Sequence, residues 1–158
     1  MSEAHHHHPD PHGGSLNRVA AMATLHCLSG CAIGEVAGMA AGALFGLGNW
    51  TTVVLSTGLA FATGYAMTLR PLVKPMGWRH ALAIAFAADT ASIAAMELAD
   101  NATMLLIPGA MNATLAQPLF WVALAVSLAL GGLAAFPVNR FLIARGKGHA
   151  VAHAHHHH

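Results

Sequence analysis

The chain has 158 residues, 56% of them hydrophobic and only 8% charged, with a net charge of +1. An ordinary soluble domain carries roughly 25% charged residues, and seven basic plus six acidic side chains are too few to solvate the surface of a small globule. A soluble domain is therefore excluded; the near-neutral charge gives no basis for nucleic-acid binding, and two cysteines exclude a disulfide-stapled secreted scaffold.

The chain opens on a polar tail, residues 1–17, rich in His, Pro and Gly. Four long apolar stretches follow, at residues 19–47, 52–69, 80–107 and 115–144. A bilayer core of roughly 30 Å needs about 20 helical residues, so each stretch predicts a transmembrane helix, three of them long enough to tilt or project. The breaks are Gly48-Asn49-Trp50-Thr51, the stretch from Arg70 to Arg79 with Pro71, Pro75 and Gly77, and Pro108-Gly109-Ala110-Met111-Asn112. Gly, Pro and Asn supply the turn chemistry in each. Trp50, Trp78 and Trp121 fall near predicted helix ends, where amphipathic rings settle at the headgroup level. The expected architecture is all-α: a four-helix transmembrane domain over residues 18–146 between two disordered His-rich tails, 1–17 and 147–158.

All seven basic residues (Arg18, Arg70, Lys74, Arg79, Arg140, Arg145 and Lys147) fall on the side that a four-helix count assigns to both termini and the middle loop. The positive-inside rule makes that side cytoplasmic. The first stretch follows a long polar segment and exceeds the apolar run of a signal peptide, so it is read as part of the mature protein.

The acids are distributed in the opposite sense. Glu3 and Asp10 lie in the tail, but Glu35 falls in the first helix and Asp89, Glu97 and Asp100 in the third. An acid at mid-helix costs roughly 2.5–3.5 kcal/mol on insertion scales. Such residues face a bundle interior, either as hydrogen-bonded glue between helices or as a functional site. On a helical wheel Asp89, Met96 and Asp100 lie within about 40° of one another, with Ser92, Glu97 and Met104 nearby.

The first helix carries two ridges of spacing four. Gly30, Gly34, Gly38, Gly42 and Gly46 form a small-residue ridge, which allows backbone-to-backbone approach of another helix, in the same chain, in a second copy or in another membrane protein. Cys27, Cys31, Glu35 and Met39 form the second, with His26 adjacent. Two thiols one turn apart beside an imidazole place soft ligands around one ion, and thiolates select Cu(I) or Zn(II). Buried cysteines are also ordinary small hydrophobes, and redox chemistry is a third use. A disulfide is disfavoured on the reducing side of the membrane.

The runs HCLSGCAIGE, DTASIAAMELADN and NRFLIARGKGHAVAH together resemble a family of small bacterial four-helix integral membrane proteins of unknown function, over residues 24–153. The hallmark His-Cys-x-x-Gly-Cys-x-x-Gly-Glu is matched at His26, Cys27, Gly30, Cys31, Gly34 and Glu35. The resemblance implies the four-helix fold and no activity.

Both tails are rich in histidine: His5, His6, His7, His8 and His12 at one end, His149, His153 and His155 to His158 at the other. Imidazoles on a flexible chain capture divalent transition metals loosely; a purification tag is the alternative for the last run. The expected function is binding of a soft transition metal, copper ahead of zinc, and its movement across a bacterial inner membrane. Tail histidines would gather the ion, and His26, Cys27, Cys31, Glu35, Met39, Asp89, Met96, Glu97 and Asp100 would bind and relay it. The alternative is an assembly or redox subunit whose glycine ridge packs on a partner helix. No P-loop, dinucleotide fingerprint or serine-nucleophile elbow is present, which argues against a soluble-type enzyme.

Overall fold

The structure, a computed structural model, describes residues 11–145. Four helices, α1 (Pro11–Phe45), α2 (Asn49–Met76), α3 (Trp78–Leu106) and α4 (Pro118–Ala144), form an up-and-down bundle, and no strand occurs among the described residues. Each is long and apolar enough to cross a membrane. The spans run to 27–30 residues, longer than the roughly 20 that a 30 Å hydrocarbon core requires, so they tilt or project into the headgroups. The chain is a membrane protein. Around the bundle α1 packs on α2 and α4, and α3 packs on the same two neighbours; α1 and α3 meet across the diagonal.

The bundle is apolar outside and polar inside. Leu44, Leu98, Leu106 and Leu133 point outward with 69–83% of their surface exposed, a cost in water that disappears in lipid. The interior is built from alanines such as Ala60, Ala85 and Ala135 and from buried Thr24, Ser92, Ser127 and Asn139. Lipid offers no hydrophobic drive between helices, so close approach and interhelical hydrogen bonds hold them. Thr63 Oγ1 donates to the Gly30 carbonyl (2.6 Å), Asn139 Nδ2 to Thr24 Oγ1 (2.9 Å), and Tyr65 and Thr90 share a bond of 2.7 Å.

The glycine ridge is the α1–α2 seam. A methyl group added at Gly34 would collide with the Leu59–Ala60 backbone, at Gly38 with Ser56, and at Gly42 with Thr52. At Gly30 it would lie 2.9 Å from the Gly64 Cα. The ridge is thus occupied by the chain's own second helix. Gly46 is an exception: nothing lies within 4 Å of its missing Cβ, and its φ of +63° ends α1 in the left-handed conformation that glycine favours.

Three boundaries differ from expectation. α1 begins at Pro11, so residues 11–17 are helical rather than part of a tail. The expected middle loop shrinks to Gly77, at φ 78° and ψ 156°, because α2 continues through Pro71 and Pro75. Both prolines are exposed in the last turns of α2, near the end of the span, where a carbonyl left unpaired by proline costs least. The last connection is longer than expected. It contains a short 3-10 turn, Ala110–Asn112, and α4 starts at Pro118, a residue preorganised for the first helical position. The tail histidines His5, His6, His7, His8, His149, His153 and His155, together with Lys147, lie outside the described residues.

Candidate functional site

Arg18, Arg70, Lys74, Arg79, Arg140 and Arg145 gather at the end of the bundle where α1 and α3 start and α2 and α4 finish. The opposite, uncharged end is closed by the α1–α2 turn and the α3–α4 connection, joined by a hydrogen bond from Asn49 Nδ2 to Asn112 Oδ1 (2.9 Å). Beneath these two connections lies a cavity of about 290 Å³. Its rim includes Asn49, Asn112 and Thr114, and its wall deeper in the bundle includes Glu35 and Asp100.

Spacing explains why these side chains converge. Cys27, Cys31, Glu35 and Met39 repeat every four residues, so they stack along one face of α1. Asp89, Ser92, Met96, Glu97, Asp100 and Met104 form the buried face of α3. The two faces meet across the bundle diagonal. α4 completes the enclosure with Ser127, Gly131, Ala135 and Asn139, also four apart and all buried. Gly131 makes room for α3: a Cβ there would stand 3.0 Å from Met96 Cγ and 3.1 Å from its carbonyl oxygen.

Glu35, Glu97 and Asp100 form one cluster, each no more than 4% exposed. Glu35 faces both other acids within hydrogen-bond reach, so its partners are carboxyls that share a proton with it and not N–H or hydroxyl donors. Glu97 Oε1 and Asp100 Oδ1 are likewise buried without such a donor. Asn101 donates to the Glu97 carbonyl (2.8 Å) and to Thr57 Oγ1 (3.2 Å), and reaches Glu97 Oε2 only at 3.5 Å. The described Lys and Arg side chains are all at the far end of the bundle. A buried, unpaired charge is so costly that this cluster requires positive charge from elsewhere, as protons or as a bound cation.

The remaining site residues lie deeper, toward the basic end. Cys27 and Cys31 are free thiols within interaction range of each other. They pack with Ala60, Ile93, Met96 and Ala135 in an apolar cluster. Ser92 Oγ lies 3.9 Å from Cys27 Sγ. Asp89, 8% exposed, is a neighbour of Cys27, while His26 is half-buried. The expected residues thus fall into two groups joined by one acid: Glu35, Met39 and Asp100 line the inner wall of the cavity, His26, Cys27, Cys31, Asp89 and Met96 lie below it, and Glu97 reaches both Glu35 and Cys31. Among the described residues, no three His, Cys, Asp or Glu side chains are arranged to hold one metal ion.

Residues 16–148 match the model of a family described as a domain of unknown function, DUF4396. The chain belongs to the DUF4396 family. The DUF4396 match takes in α2, α3, α4 and all of α1 from Leu16 onward, with both acid-bearing faces. No curated protein and no solved structure matches the chain.

Proposed function

We propose that this DUF4396 protein binds a soft transition-metal cation, Cu(I) ahead of Zn(II), and moves it across a bacterial inner membrane. The observation that supports this reading best is Glu35, a carboxyl buried against two other acids with no basic side chain beside it, on the wall of a cavity that reaches one end of the bundle. A cation entering there meets two acids on the wall, Glu35 and Asp100, with Glu97 behind them. One to two helical turns further along α1, Cys31 and then Cys27 stand in line as softer ligands. Thiolate ligation needs a small rearrangement of the core, because among the described residues no three His, Cys, Asp or Glu side chains are arranged around one ion. In the positive-inside orientation the cavity opens away from the cytoplasm, and the tail histidines capture metal at the cytoplasmic end.

Two expected results follow for topology and thiols. A reporter active only in the cytoplasm is expected to work when fused at Val151 and to be silent at Gly109; the reverse pattern would invert the orientation. The purified full-length protein, loaded with Cu(I) or Zn(II) in detergent, is expected to lose its tightest metal equivalent when Cys27→Ser and Cys31→Ser are combined. Equal stoichiometry and affinity in both forms would leave the cysteines as packing residues only.

The alternative reading, an assembly or redox subunit, draws support from the packing of both thiols in an apolar core. It loses its main surface, since the ridge of Gly30, Gly34, Gly38 and Gly42 already seats α2.

A further inference from the structure

The cavity wall carries three methionines as well as two acids. Met39 comes from α1, Met104 from α3 and Met111 from the 3-10 turn between α3 and α4. Met104 is 8% exposed and packs with Ala110, Ala123, Ile107 and Met111; Met39 and Met111 are half-buried. Methionine is a common gap-filler in cores, but a filler closes a space, and here about 290 Å³ stays open beside the thioethers. The same wall holds Glu35, 3% exposed and in contact with the carboxyls of Glu97 and Asp100.

The two kinds of ligand divide the task of binding an ion. A thioether is neutral and soft, has no proton to lose, and prefers Cu(I) to the harder Zn(II), Mg(II) or Ca(II). A carboxylate supplies the negative charge that keeps a cation in a low-dielectric site but discriminates poorly among cations. We propose that Met39, Met104 and Met111 form a soft-cation site in this vestibule, which takes Cu(I), passes over Zn(II), and sets selectivity before the ion reaches the thiols. The inference rests on the functional reading above and adds to it which residues choose the ion.

Ag(I) serves as the probe, being soft, monovalent and stable in air. Full-length protein in detergent is titrated with Ag(I) and, separately, with Zn(II). The variants are Met39→Leu with Met104→Leu and Met111→Leu, the lipid-facing control Met22→Leu, and Glu35→Gln. Leucine nearly conserves volume, so thermal unfolding should change little. In a Cys27→Ser, Cys31→Ser background, which removes the tighter thiol equivalent, the triple variant is expected to bind its first equivalent of Ag(I) at least tenfold more weakly than the same background with its methionines intact, with Zn(II) binding unchanged and the control like its parent. Unchanged Ag(I) affinity in the triple variant overturns the methionine site and leaves the functional reading standing. If Glu35→Gln binds both ions as wild type does, the functional reading itself fails, and the inference with it. Should the triple variant not fold, peroxide oxidation of the wild type decides. Thioethers become sulfoxides unless their sulfur is occupied, so Ag(I) is expected to protect Met39 and Met111 but not Met22, which is 63% exposed. Equal oxidation with and without Ag(I) overturns the proposal.

Discussion

Replacing Glu35 with Gln is expected to weaken cation binding at the cavity by at least tenfold while leaving the melting temperature of the metal-free protein unchanged or raised. The two effects have one cause. Glu35 is buried with no basic partner, and the carboxyls of Glu97 and Asp100 are its hydrogen-bonding and electrostatic company. A buried polar group without partners costs about 1–3 kcal/mol, more when charged. Glutamine keeps the shape and can donate from its amide where the acid shares a proton with its neighbours, so the apo bundle loses little. An entering cation loses its nearest carboxylate, and a tenfold loss of affinity corresponds to about 1.4 kcal/mol. A residue that weakens the fold and strengthens a site is the usual mark of function. Bound metal and thermal unfolding, measured on one preparation, check both halves. A sharp fall in melting temperature with unchanged binding would make Glu35 a structural residue.

Gly34→Leu is expected to damage the fold rather than the site. At Gly34 even a first side-chain carbon would meet the Leu59–Ala60 backbone of α2, and a backbone cannot rotate away as a side chain can. Overpacking of this kind costs about 1–3 kcal/mol and sometimes more, and lipid offers no hydrophobic gain to offset separated helices. Gly58→Leu is the matched control: it sits on α2 with nothing within 4 Å of its missing Cβ. Leucine there should be tolerated, because it faces outward and favours helix more than glycine does. The expected readout is a lower melting temperature and a smaller monodisperse fraction in detergent for Gly34→Leu alone. Equal behaviour of the two variants would contradict the close α1–α2 seam.

Much of this architecture is legible in the residues themselves. Hydropathy marks all four spans, and spacing of four puts Cys27, Cys31, Glu35 and Met39 on one face of α1. The acid-bearing face of α3 follows from the same arithmetic. Proline misleads twice: Pro71 and Pro75 read as breaks but lie inside α2 near its end, where they cost least, whereas Pro118 is the true start of α4. The fourth helix carries a signal that charge and sulfur leave unnoticed: Ser127, Gly131, Ala135 and Asn139 recur every four residues and form its buried face. The cavity has no local signature at all. It exists because the α1–α2 turn and the α3–α4 connection meet over the ends of four helices, and it recruits Met111 from a connection instead of a span. Pairing of α1 with α3 across the diagonal, which joins Glu35 to Glu97 and Asp100, likewise depends on the packing order of the helices.

The central claim is that the bundle carries a soft cation past Glu35, and flux through proteoliposomes tests it most directly. Full-length protein is reconstituted in vesicles holding a fluorescent chelator, and Cu(I) and Zn(II) are added outside. The account predicts Cu(I) entry above that of protein-free vesicles, slower Zn(II) entry, and loss of the Cu(I) signal in Glu35→Gln. Cu(I) entry no faster than in empty vesicles, or equally fast through wild type and Glu35→Gln, would contradict it.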